Sequence, residues 1–299
     1  MDLSTHGRYG YSAIIHRPDY SWPQGQRLAV YVALNLEHFA FGEGLGAQLA
    51  PGGPEPDVLN YAWRDYGNRV GVWRLLDLFE TLGLPVAVLA NASLYDYCPE
   101  VMAAFRSRGD EVVAHGRTNS ERQSVLSEAA EAALIAETTE VLTQHEGKAP
   151  QGWLGPWIAQ SHLTPDLLQE AKYPYLLDWC CDDQPIWFNT RQGRILAVPY
   201  SQEVNDIPAI AVRRTSAVDF ADMIIDQYEE MKQQSQQQPL VYGIALHPYI
   251  VGQPFRLRHL RRSLEHIAKD AARSSDLVWV THPGEIAQHI YSLPEGTVP

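Results

Sequence analysis

The sequence predicts an α/β protein, a deformed barrel of seven or eight parallel strands separated by helices. Short apolar runs bounded by turn residues alternate with segments of helical spacing along almost the whole chain. The runs are apolar at successive positions, as strands are when both faces of a parallel sheet are covered. Three of them end in a histidine, at the carboxyl ends of strands, where α/β barrels collect polar groups on a rigid support.

The elements follow in order. Residues 1–26, rich in aromatics, glycine and proline, read as an irregular arm, and residues 27–299 as a single barrel domain. The first strand, 27–35, runs into Leu36-Glu37-His38. Residues 39–68 form a long connection containing Pro51-Gly52-Gly53-Pro54-Glu55-Pro56. Its aromatic and guanidinium groups, with Arg64, Tyr66 and Arg69 among them, form either a packed Ω-loop or a recognition wall for a substrate. Apolar residues at Val72, Leu75, Leu76, Phe79 and Leu82 make a helix that stops at Gly83. A second strand at 84–91 and a helix from Pro99 to about Gly109 lead to the strand 111–114, which ends at His115. A long helix over 122–145 precedes a strand-like segment at 151–156 that carries Trp153. Thr164-Pro165-Asp166 opens a helix with proline in its first turn, where the missing donor does no harm. A strand at 173–179 and a loop at 181–185 with Asp183 follow, then a strand at 194–200 and the loop 201–206 with Asn205. After a helix at 217–232 and a glutamine-rich linker, the apolar run 240–246 ends at His247-Pro248. A basic helix from 257, a strand at 277–281 and a last helix close the domain.

Composition narrows the function. With 299 residues, 45% of them hydrophobic, the chain can bury a sizeable core. A net charge of -13 disfavours a nucleic-acid backbone or an anionic membrane as partner and leaves a small molecule. Three cysteines, two of them adjacent, suit neither a disulfide framework nor a Cys-x-x-Cys metal site, which points to a reducing compartment. The first residues lack a basic start and an apolar core, so a cytoplasmic protein is expected, and the aromatic arm suggests a homo-oligomer. No dinucleotide fingerprint follows the first strand, and there is no phosphate loop.

If the strand ends share one barrel mouth, Glu37, His38, His115 and His247 face a common pocket. Hydrolysis of an amide-like C–N bond needs a base for water, a group to hold the oxyanion and an acid for the leaving nitrogen. Glu37 suits the base and His247 the acid. His38 and His115, with Glu37, suit one divalent metal with a position left for water. A metal-free hydrogen-bond network built from the same residues is the alternative. Asn119, Trp153, Asp183 and Asn205 join Arg64, Tyr66 and Arg69 as candidate substrate contacts.

From about Arg27 to Ile290 the order of segments resembles the polysaccharide deacetylase superfamily (carbohydrate esterase family 4), on its allantoinase-like branch. The resemblance is carried by Leu246-His247-Pro248 with Gly252-Gln253-Pro254, and by 66–74, Tyr-Gly-Asn-Arg-Val-Gly-Val-Trp-Arg. It implies a deformed (β/α) barrel and, in the family's deacetylases, a zinc-like ion. Asn35-Leu36-Glu37-His38 stands where those deacetylases carry Thr-Phe-Asp-Asp, which puts Glu37 on the base and His38 on a metal ligand. His115 stands on the first of two metal histidines and Asn119 on the second. The third motif's arginine is absent from 151–156, and His247 stands on the catalytic acid. The expected activity is therefore hydrolysis of a non-peptide C–N bond in a small N-acyl or amide compound, with an inactive small-molecule or carbohydrate-binding protein on the same fold as the rival.

Overall fold

The structure, a computed structural model, describes residues 3–299. Nine strands form one curled sheet: β1 (Leu28–Leu36), β2 (Val86–Ala90), β3 (Glu111–Ala114), β4 (Gly152–Trp153), β5 (Tyr175–Leu176), β6 (Ile186–Thr190), β7 (Gly193–Ala197), β8 (Leu240–Leu246) and β9 (Val278–Val280). Their order is β6-β7-β5-β4-β3-β2-β1-β8, with β9 also paired to β1. Helices cover the outside. The predicted α/β barrel is present, with one correction: β6 and β7 are antiparallel. A connection as short as Arg191-Gln192 can join only antiparallel strands, and Gly193 takes the positive φ there. Closure is irregular and explains the deformation. Along the free edge of β8, Ala245 N–H donates to Val204 O (3.1 Å) and Val241 N–H to Asp183 O (2.8 Å).

Period-two alternation sorts the side chains. In β1, Leu28, Val30, Val32, Leu34 and Leu36 face the helices, while Ala29, Tyr31 and Ala33 belong to the inner cluster. The interior is filled by large rings set over small residues: a Cβ on Gly243 would lie 2.7 Å from the Tyr31 ring, whose hydroxyl donates to Pro199 O (2.6 Å). On the outer face, Leu75, Leu78 and Phe79 of the helix Val72–Leu82 are buried, each contributing about 1.5–3 kcal/mol.

The connection at 39–68 differs from its expected irregular form in its second half. Val58–Tyr66 is a helix capped by the Asp57 carboxylate, which accepts from Asn60 N–H (3.1 Å), and it passes through a π-helical turn, Gly67–Gly71, into Val72–Leu82. The wider turn lets the two glycines press against the end of β8. A Cβ on Gly67 would lie 2.7 Å from Tyr249 N, and one on Gly71 would collide with the Pro248 carbonyl. This helical column therefore braces the turn that carries His247. Among the described residues no helix is long and apolar enough to cross a membrane.

Candidate active site

The alternation that fills the interior also aims the strand ends. The inward row Ala29, Tyr31, Ala33, Asn35 continues to Glu37; Val241, Gly243, Ala245 continues to His247; and Val113 continues to His115. All three side chains are buried and line one cavity of about 120 Å³. Glu37 Oε1 lies 3.6 Å from His247 Nε2 and 3.8 Å from His115 Nε2, so one carboxylate is flanked by two imidazoles. The Asn119 amide donates to Oε1 (2.6 Å) and the Tyr249 hydroxyl to Oε2 (2.7 Å).

Each imidazole has a defined partner on its far side. His247 donates its backbone N–H to Asp206 Oδ2 (2.8 Å) and its ring Nδ1–H to Oδ1 (2.6 Å). The His115 Nδ1–H donates to the Leu154 carbonyl (2.7 Å). Because a carbonyl only accepts, that bond places a proton on Nδ1; Nε2 is buried and has no partner among the described residues.

Burial works against the charge on His247, but the carboxylates of Asp206 and Glu37 outweigh it and hold the ring protonated up to about pH 10. Burial would raise the Glu37 carboxyl; the charge on His247 beside it reverses this and holds it well below the usual carboxylate range. The site is therefore a row of Asp206, His247 and Glu37 with His115 beside it; burial raises the Asp206 carboxyl, and the charge and two N–H groups of His247 act against that rise.

The remaining predicted residues are dispersed. Asn119 and Asn205 line the cavity. His38 occupies the outward position next to Glu37: its Nδ1 pairs with Ser93 Oγ (2.9 Å) and its ring stacks on Tyr97 at 4.2 Å. Arg64 is buried over the Phe39 ring and donates to Ala47 O (2.9 Å), which ties down the loop rather than facing the cavity. Tyr66 accepts from Arg74, and Arg69 is exposed beside Asp65. Trp153 is fully buried in the core against Tyr173. Asp183 is exposed, and its backbone pairs with Val241, near the start of β8 and away from His247. Tyr249 and Trp157 are not singled out from the sequence, while Asp206 is read there only as a loop residue near the pocket, without its bond to His247. The step of two from His247 was a usable signal for Tyr249, whereas Asp206 reaches His247 only through pairing across the barrel seam.

Fold and site together define a class: a curled α/β barrel with a histidine–carboxylate cluster at the carboxyl ends of its strands. No family model matches the chain. It is similar to the crystal structure of PuuE allantoinase, with 27% identity and a TM-score of 0.82 over 95% of this chain and 98% of that one. It is also similar to a Pseudomonas aeruginosa PAO1 structure described as a probable polysaccharide deacetylase, with 28% identity and a TM-score of 0.78 over 90% and 93% of the two chains. A Schizosaccharomyces pombe protein provisionally named a polysaccharide deacetylase is 26% identical over 300 residues, which cover 89% of this chain and 91% of that protein. Over most of its length the chain is thus similar both to an allantoinase and to proteins named as polysaccharide deacetylases, the likeness its motifs suggest.

The metal implied by the family resemblance fits these residues poorly. Both Glu37 oxygens accept hydrogen bonds, from Asn119 and Tyr249, Asn119 presents its amide N–H groups where a second ligand histidine would stand, and His38 faces away. Among the described residues no three His, Cys, Asp or Glu side chains are grouped to hold an ion.

Proposed function

We propose that the protein is a metal-independent hydrolase of a C–N bond in a small, uncharged amide, imide or N-acyl compound. The observation that carries this reading is the flanking of the buried Glu37 carboxylate by two imidazoles, each tied through its Nδ1 to an acceptor on its far side. At about 120 Å³ the cavity is well below the roughly 300 Å³ at which drug-sized sites begin, so the reacting part of the substrate is small. No lysine or arginine lines it, so a substrate carboxylate has no guanidinium or ammonium partner there.

Roles follow from the proton inventory. His115 Nε2, buried and with no hydrogen-bond partner among the described residues, takes the proton from an attacking water, its Nδ1–H held by Leu154. Glu37, with its depressed proton affinity, is a weak base; in place of the base role expected from sequence, it orients that water and keeps His247 charged. His247 Nε2–H is the acid for the leaving nitrogen, with Asp206 holding its ring in place. Asn205 Oδ1 accepts from Ile207 N–H (3.0 Å), so its NH₂ is the group left for a substrate carbonyl.

The test is turnover of hydantoin, succinimide and N-acetylglucosamine, read as release of carboxylate, amine or acetate. Loss of more than a thousandfold in His115→Gln and in His247→Ala is expected, within reach of removing general acid–base groups. Wild-type-like turnover in either variant overturns the assignment. We also propose self-association through the arm, where Tyr11 and Ile15 are exposed, to be read by light scattering.

A further inference from the structure

We propose that Trp157 is a positioning residue of this site, fixing Asn119, and through it Glu37, from the cavity mouth. The inference rests on the reaction assigned above and adds a residue that neither strand pattern nor motif marks. Trp157 lines the cavity and is 39% exposed, yet its indole N–H is committed to the Asn119 carbonyl (2.8 Å). Asn119 is thereby held at every polar atom. Its backbone N–H donates to His38 O (2.8 Å), its Oδ1 accepts from Asn91 (3.2 Å), and its NH₂ meets Glu37. Two of these bonds, one of them from Trp157, fix the Asn119 backbone and two hold its side-chain amide, so the NH₂ is aimed at the carboxylate from a fixed main chain.

The backbone around Trp157 is built to deliver that indole. Trp157 and Ile158 take successive positive φ values of 64° and 52°, uncommon for any non-glycine residue and an outlier for a β-branched one. Such strain persists only where the surroundings over-determine it, and it gathers at functional sites. Here the surroundings are explicit. Gly155 N–H donates to Asp178 Oδ1 (2.8 Å), and Pro156 packs so closely on Gly116 that a Cβ there would lie 2.8 Å from its ring. Leu154, at the start of the same segment, accepts the His115 Nδ1–H. One strained segment therefore orients two members of the cluster, His115 from Leu154 and Asn119 from Trp157. An indole serving only as a wall would need neither the left-handed pair nor the bond to Asn119.

Trp157→Phe keeps an aromatic wall and removes only the indole donor. The side-chain NH₂ resonances of Asn119, assigned by their loss in Asn119→Ala, should move toward those of a free amide. On whichever probe amide the wild type turns over, kcat should fall roughly three- to tenfold, the weight of one hydrogen bond, with KM within about twofold. Trp157→Leu, which likewise has no donor, gives the same reading should the phenylalanine variant fail to fold. Unmoved Asn119 resonances, or a rise in KM at constant kcat, would overturn the proposal and leave Trp157 as a wall. Failure of the wild type on every probe would instead sink the assigned reaction, and the Asn119 resonances would still decide the role of Trp157.

Discussion

Replacing Asp206 by Asn tests the acid most directly. The carboxylate accepts two N–H groups from one residue, the backbone and ring of His247, through separate oxygens. An amide can accept with only one end, so in either orientation its NH₂ confronts one of those donors. The charge that helps hold the ring protonated up to about pH 10 is lost as well. Relative to the ordinary value near 6.5, that stabilisation amounts to ~5 kcal/mol, shared with Glu37. If the ring returns to its ordinary value, the charged fraction at pH 8 falls from nearly complete to about 3%, a roughly thirtyfold loss of acid. At pH 6 the ring is still mostly charged, and the loss of acid is under about twofold. The assay is kcat/KM from pH 6 to 9 on the preferred amide. The wild type should hold its activity toward pH 9, while Asp206→Asn declines as pH rises above about 6.5. A raised imidazole also stabilises the folded chain fully below about pH 6.5 and less as pH climbs toward 10, so the wild type should lose urea resistance over that window and the variant less. Equal loss at every pH, or no loss, would refute the acid role assigned to His247.

Other outcomes follow from the same geometry. Glu37→Gln removes the negative charge between the imidazoles and should lower kcat at least a thousandfold while the chain stays folded; retention of a tenth of the activity would exclude the role given to Glu37. Gly71→Ala drives a methyl into the Pro248 carbonyl and should cost ~1–3 kcal/mol in urea denaturation, with unchanged stability refuting the close packing. Burial pushes the Asp178 carboxyl up to about 7, so its contribution to stability is full below the unfolded value near 3.8 and is lost as pH rises through 7. Asp178→Asn, which keeps the acceptor for Gly155, should therefore be the more stable protein at pH 8 and show no advantage below pH 4. Prolonged dialysis against a chelator should leave turnover within about twofold of the untreated protein; a loss restored by zinc would overturn the metal-independent reading.

Much of the fold was legible because it is written in local pattern. Apolar runs buried on both faces, interrupted by helical spacing, locate β1, β2, β3 and β8; period two along β1 opposes Glu37 to His38, so the expectation that both face the pocket fails for His38. The short β6 is not marked by the strand-helix alternation: Ile186-Trp187-Phe188 is apolar, but it has no helix after it and is defined as a strand only by β7 folding back on it. The π-turn at Gly67–Gly71 was missed because its reason lies in the backbone of Tyr249, far along the chain.

The sequence by itself determined which strand ends carry chemistry and which way most of their side chains face, since both depend on spacing alone. Tertiary structure decided the rest: that Asp206 holds His247, that Asn119 and Tyr249 saturate Glu37, and that Trp157 reaches Asn119. Those contacts join segments that meet only when the sheet curls and its irregular seam closes. A hydrogen bond depends on where two atoms meet in space, and no local periodicity encodes that meeting.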